Sequence, residues 1–276
     1  MDAHFRAFTF VDRITELDPG RQIRGRYTIP VDVPNFPATL VTEAVGQLAA
    51  WAAMAALEFK SRPVAGLATH IDFLTSVQPG QVLELSAELE TLEEDAVAYH
   101  GNAQVDGRPV IALRDCVGPM LPLEQFDDPH AIRERFELLR HHGALPGTWG
   151  NVTNLALDNV GGQHGESAHA TLHVPNQAPF FADHFPRRPV LPGTLLMNSN
   201  LELVASLAAT LPASAGRRWV LRRVSDVKLR TFTPPGGTLQ IEAKLTQLSA
   251  DAASVSLETR EGKRMIASAR VRLEYA

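Results

Sequence analysis

The chain has one cysteine, Cys116, in 276 residues. That excludes a disulfide framework within the chain and any site built from several thiolates. Long hydrophobic runs are also missing. The longest, Leu48–Leu57, is ten residues, where a membrane-spanning helix needs about 20. The start, MDAHFRAFTFVDR, has no basic cluster followed by an apolar run, so it does not read as a secretory signal. A soluble, cytoplasmic protein with no membrane partner is the expectation. Positive charge is scarce as well. The net charge of -5 argues against a nucleic-acid binder. Nine of the ten histidines, His4 among them, show no ligand-like spacing with acids and read as surface or core. No metal and no cofactor are expected.

The composition is that of a globular protein, 45% hydrophobic and 21% charged. At about 150 residues per domain, the length suits two modest domains or one large one. Charge divides unevenly along it. Residues 1–122 carry nine basic and 16 acidic side chains, net -7; residues 123–150 carry three and five, net -2; residues 151–276 carry 14 and ten, net +4. Arg217, Arg218, Arg222, Arg223, Lys228 and Arg230 crowd one stretch. They read either as a solvated face or as a docking surface for an acidic partner.

The chain repeats itself at a period near 150 residues. FVDRITEL (10–17) recurs as LALDNVGG (155–162), and GRYTIP (25–30) as ATLHVP (170–175), each of the latter pair a polar–apolar alternation ending in proline. PATLVTEAVGQLAAWAAMAAL (37–57) aligns with PGTLLMNSNLELVASLAATL (192–211). Both have Ala and Leu at helical spacing, which predicts helices buried on most sides; Trp51 and Phe59, eight apart, read as core on the first. Matching segments 73–89 and 229–245 follow, each a Pro-Gly turn and then an alternating strand, and after them hairpins turning at Asp106-Gly107 and Glu261-Gly262. The expected organisation is a repeat over 1–122, a linker over 123–150 and a repeat over 151–276. In the linker, Asp128 suits an N-cap, Pro129 the first helical position and Gly143 the stop.

The halves differ in one place. Pro30 stands seven residues before Pro37, whereas the matching Pro175 stands seventeen before Pro192. The ten extra residues bring in PFFADHFPRRPVLPG. Its prolines at 186, 189 and 192 limit the freedom of a loop carrying His184.

PFFADHFPRRPVLPGTLL resembles the active-site segment of the FabZ/FabA-type (3R)-hydroxyacyl-acyl carrier protein dehydratases, approximately H-F-P-x-x-P-x-x-P-G-V-L. Six fixed positions match: His184, Phe185, Pro186, Pro189, Pro192 and Gly193. That family has the hotdog fold, a long central helix wrapped by an antiparallel sheet. Because the likeness covers both halves, it implies an α+β double hotdog, a dimer fused into one chain. In the family a loop His and a helix Glu or Asp from opposite subunits share one site. Here TEAVGQ resembles the family's E-A-M-A-Q, so Glu43 matches the acid and Gln47 the glutamine; the second repeat has Asn198 and Glu202 at those positions. One repeat keeps the base and the other the acid, which implies one live composite site. This departs from the double-hotdog dehydratase domains of polyketide synthases, which carry the His in the first half.

Dehydration of a 3-hydroxyacyl thioester removes a C2 proton and expels the C3 hydroxyl as water. His184 suits the base, and Glu43 the proton donor, because burial raises a carboxyl pKa. The resemblance gives the Gly193 N–H the task of polarising the thioester carbonyl; Gln47, one turn on from Glu43, orients the carboxyl. Phe185, Pro192 and Leu195 are expected beside the substrate, with Leu40, Leu196 and Val204 as further candidate lining. Arg187, Arg188, Arg222 and Arg223 are expected to meet the carrier, either acyl carrier protein with a phosphopantetheine-linked chain or coenzyme A. The pathway expected is fatty-acid, polyketide or polyene assembly. Other readings stay open: a catalytically inactive carrier-binding partner, or a hotdog isomerase or thioesterase. A homodimer of the fused chain is a further expectation.

Overall fold

The computed structural model describes residues 4–145, 155–212 and 217–275. The elements run β1 (Arg13–Asp18), β2 (Gln22–Thr28), α1 (Ala38–Ala56), β3 (Ser61–Pro63), β4 (Leu67–Phe73), β5 (Val82–Leu92), β6 (Ala96–Val105), β7 (Arg108–Pro122) and α2 (Pro129–His141). They continue with β8 (Leu157–Gln163), β9 (Ser167–His173), α3 (Gly193–Ala208), β10 (Trp219–Leu229), β11 (Thr238–Leu248), β12 (Ala252–Glu261) and β13 (Arg264–Tyr275).

One antiparallel sheet runs in the order β1-β2-β5-β6-β7-β4-β10-β13-β12-β11-β9-β8, with β3 on β7. Read from either end the order is the same once repeat partners are exchanged. The seam is β4 against β10, with Ile71 opposite Val224 and Asp72 opposite Arg223. Two equivalent strands meeting antiparallel is the isologous contact of a two-fold dimer, here made within one chain. α1 lies on β2, β5 and β6, α3 lies on β9 and β11, and the two helices pack against each other. This is the double hotdog.

The sequence dictates this layering. On β5, Leu83, Leu85, Ala87 and Leu89 are buried while their neighbours face outward, the period-two pattern of a sheet with one covered face. Leu40, Val41, Ala44, Val45 and Leu48 of α1 are fully buried. Each such Val or Leu contributes roughly 1.5–3 kcal/mol. Small residues let the helix sit close: a Cβ on Gly101 would meet Val45 Cγ1 at 2.5 Å and the Ser86 carbonyl at 2.7 Å.

α1 ends at Ala56, and Glu58 and Phe59 take positive φ. Phe59 is therefore not on the helix. It lies beyond it and packs edge-on against Phe136 of α2, which also meets Trp51. α2 starts and stops as the sequence signals. Asp128 accepts the His130 N–H at 3.0 Å, and Gly143, at φ +79°, donates its N–H to the Leu138 carbonyl at 2.7 Å, closing the helix from a left-handed position. Asp106 and Gly107 form the β6–β7 turn, both at positive φ. The β12–β13 turn falls one residue later than expected. Glu261 pairs with Arg264, so Gly262 and Lys263 make the turn, and a bulge at Thr259/Arg260 absorbs the extra residue.

Candidate active site

His184 sits in the loop between β9 and α3, held at many points. Its N–H donates to the Phe180 carbonyl (2.8 Å), and its own carbonyl accepts from Val190 (3.1 Å). Its ring Nδ1 lies 3.0 Å from the Val190 carbonyl oxygen. A carbonyl only accepts, so Nδ1 carries the hydrogen and Nε2 keeps its lone pair. The preceding residue, Asp183, takes the N–H groups of Phe5, Ala7 (2.7 Å) and Phe8 (2.7 Å). The loop is thereby tied to the chain's N-terminal segment, and Phe8 meets the His184 ring edge-on.

Glu43 comes from α1 of the other repeat. Gln47, one turn on, donates from Nε2 to Glu43 Oε1 at 3.0 Å. The same amide donates to the Phe8 carbonyl and accepts the Phe10 N–H, so its orientation is fixed by all three partners. Thr194, the second residue of α3, donates from Oγ1 to Glu43 Oε2 at 2.6 Å. The carboxyl group is gripped from both repeats.

His184, Phe185, Glu43, Gln47 and Gly193 all line one cavity of about 230 Å³, walled largely by apolar side chains of α1, β4, β6 and β7. Burial raises the Glu43 pKa, opposed by Thr194, Gln47 and the Arg62 cation. Burial pushes His184 down to about 4; the Val190 carbonyl opposes this and Arg62 adds to it. At neutral pH the imidazole is therefore unprotonated and the carboxyl is biased toward its acid form. Gly193 opens α3, whose first N–H groups lack helical acceptors. A Cβ there would meet Leu229 Cδ1, on the cavity wall, at 2.5 Å.

Several expected residues lie elsewhere. Leu195 is buried off the cavity, as are Leu40, Leu196 and Val204. α3 presents Gly193, Thr194 and Met197 to the cavity, one turn apart at helical spacing, which carries Leu195 and Leu196 into the core around them. Pro192 is the buried residue before α3 and accepts from Leu195 and Leu196. The four arginines are outside the cavity. Arg187 Nη1 donates to the Glu124 carbonyl at 3.0 Å, and Arg188 lies over Phe232 and Phe126. Arg222 is 3.8 Å from Glu274, and Arg223 pairs with Asp72 across the seam. Asn198 donates to Glu202 at 2.9 Å, and neither lines the cavity.

Sequence reasoning missed Thr194, Arg62 and His4, all on the cavity wall. Arg62 bonds Asp127 at 3.0 Å, and His4 Nε2 is 3.1 Å from the same carboxylate. No local signal marks Arg62 or His4, whose partner is far away in sequence; Thr194 was recoverable from its place directly after the Gly193 match. Cys116 is also on this wall, with its pKa pushed up to about 12 by burial, so it is an unreactive thiol. No group of three or more metal-ligating side chains comes together among the described residues. No helix among them is long and apolar enough to cross a membrane.

The sheet order and the two central helices make this a fused double hotdog. Residues 161–270 match the model of the ApeI-like dehydratases. The 3-hydroxyacyl-[acyl-carrier-protein] dehydratase FabZ of Caldicellulosiruptor bescii is 30% identical over 129 residues, covering 43% of this chain and 89% of that protein. The FabZ of Natranaerobius thermophilus is 33% identical over 84 residues, 30% of this chain and 59% of that one. This chain belongs to the FabZ-type 3-hydroxyacyl-[acyl-carrier-protein] dehydratase family. It spans about three fifths of the length of the Natranaerobius and Desulforamulus reducens relatives it matches. Among solved structures, the dehydratase domain of PpsC from Mycobacterium tuberculosis, in complex with C12:1-CoA, superposes with a TM-score of 0.58 over 98% of this chain and 100% of that one, at 14% identity. That likeness is one of fold.

Proposed function

We propose that the chain dehydrates 3-hydroxyacyl thioesters to trans-2-enoyl thioesters at one composite site, with His184 as base and Glu43 as acid. The observation that carries the reading is the Thr194–Glu43 hydrogen bond. It fixes the carboxyl group of one repeat to the helix that directly follows the His184 loop of the other, on a cavity both groups line.

The acyl chain enters the apolar cavity with C2 near His184 and the C3 hydroxyl near Glu43. His184 Nε2 removes the C2 proton. The electron pair moves to form the C2–C3 double bond, and the C3–O bond breaks. Glu43 delivers its proton to the departing oxygen, which leaves as water. Negative charge developing on the thioester oxygen is met by the N–H groups opening α3, Gly193 first, in the field of the helix N-terminus. Gln47 and Thr194 hold the carboxyl in place. Proton transfer from His184 back to Glu43 through product water resets the pair.

The carrier is acyl carrier protein or coenzyme A, in fatty-acid, polyketide or polyene-type assembly. The exposed Arg187 and Arg188 of the His184 loop are the surface that meets the carrier. The test is ultraviolet absorbance of enoyl thioester formed from 3-hydroxyacyl substrates on both carriers. Wild type forms it, and His184→Ala does not. An inactive wild type across chain lengths and carriers would favour the inactive carrier-binding reading.

A further inference from the structure

The connection between the repeats touches the loop that carries His184. Arg187 donates its backbone N–H to the Phe126 carbonyl at 3.0 Å and its guanidinium to the Glu124 carbonyl. The Phe126 ring, fully buried, meets Phe185 edge-on with centroids 5.1 Å apart. Together with Val64 and Val190 these rings form a small apolar cluster separate from the main core. Asp127, 2% exposed, bonds Arg62, whose guanidinium carbon lies 3.9 Å from the Phe185 ring centroid. A carboxylate this buried is held only because it is paired, and its partner rests on the residue next to His184.

We propose that Phe126 and Asp127, in the connection between the repeats, form a seat that positions the His184 loop for the reaction. Asp127 fixes Arg62, Arg62 and Phe126 fix the Phe185 ring, and Phe185 fixes its neighbour His184. Both act through other residues and are positioning residues. The kinetic part of this inference rests on the dehydratase reading; the structural part does not.

Two measurements separate them. The first is amide hydrogen exchange over residues 184–190 in wild type, Phe126→Leu, Asp127→Asn and the double variant Arg62→Met/Asp127→Leu. The double variant leaves no buried charge alone and keeps the test open should Asp127→Asn fail to fold. Exchange in the loop is expected to rise about tenfold, with α1 and α3 unchanged. The second is the split of kcat from KM. A loop displaced by about 1 Å is expected to lower kcat by about 10–100-fold with KM within about threefold. Unchanged loop exchange in a folded variant overturns the inference whatever the activity. Faster exchange with wild-type kcat overturns the positioning role. An inactive wild type overturns the dehydratase reading and, with it, the kinetic part, and exchange alone then decides whether the seat exists.

Discussion

Glu43→Gln separates the chemistry of the carboxyl from its place in the fold. The side chains are nearly isosteric. Turned with its oxygen toward Gln47, the new amide still accepts from Nε2, and its NH₂ faces the Thr194 hydroxyl. A hydroxyl that now donates at 2.6 Å can rotate and accept instead. Both hydrogen-bond contacts survive, so no buried group is stranded. Charge adds a gain. The folded pKa of Glu43 is raised, so the fold favours its neutral form. The stability this group contributes is full below its unfolded value near 4.5 and is lost as pH rises through the folded value. A neutral glutamine suffers no such loss. The variant is therefore expected to melt at or above the wild-type Tm at pH 8, and the gap should close on going down toward pH 4.5. Activity goes the other way. Glutamine has no proton to give, and loss of a general acid costs about 10²–10⁴-fold in kcat, roughly 2.7–5.4 kcal/mol of barrier. Glu43→Ala should instead remove one of the three hydrogen bonds of Gln47 and leave the Thr194 hydroxyl without its Glu43 acceptor, at about 1–3 kcal/mol and a few degrees in Tm. The assays are enoyl-thioester absorbance and thermal melts followed by circular dichroism from pH 4 to 8. A glutamine variant within threefold of wild type, or one that melts clearly lower at pH 8, would refute the reasoning.

The acid limb of kcat/KM should fall near pH 4 rather than near 6.5, because His184 must be neutral to act and burial holds its pKa at about 4; a limb at 6.5 would mean an imidazole open to water. The same shift has a stability signature. Between 6.5 and 4 the unfolded chain takes up a proton at this residue and the fold does not, so wild type should lose stability on acidification across that window and His184→Gln should lose less, read by Tm against pH. Asn198→Ala removes a helix-surface hydrogen bond to Glu202 and should cost about 0.5–1.5 kcal/mol with activity within about threefold; a dead variant would place chemistry at the second pseudo-equivalent position.

Much of the fold was written in local pattern. The two buried helices follow from apolar residues at every turn, the hairpins and Pro-Gly turns from residues that accept positive φ, and the linker helix from Asp128, Pro129 and Gly143. The palindromic sheet follows from the internal repeat. What failed to read locally depended on tertiary contact. Phe59 has helical spacing from Trp51, but the chain turns at Glu58 and carries it off the helix onto α2. Leu195 is adjacent to the cavity in sequence, yet one residue is 100° around a helix, and its side chain is buried in the core instead. Arg62, Asp127 and His4 are ordinary polar residues from three distant segments, and only the folded chain brings them together. The arginine-rich stretch reads as a free positive surface until Asp72 and Glu274 are seen facing Arg223 and Arg222.

The central claim is that base and acid from different repeats of the same chain act as one site. It is tested most directly by assaying wild type, His184→Ala, Glu43→Gln and an equimolar mixture of the two variant chains, refolded together, on 3-hydroxyacyl thioesters. The account predicts an active wild type, two inactive variants and an inactive mixture, since neither chain in it holds both groups. A wild type without activity, either variant near wild-type rate, or activity restored by mixing would contradict it.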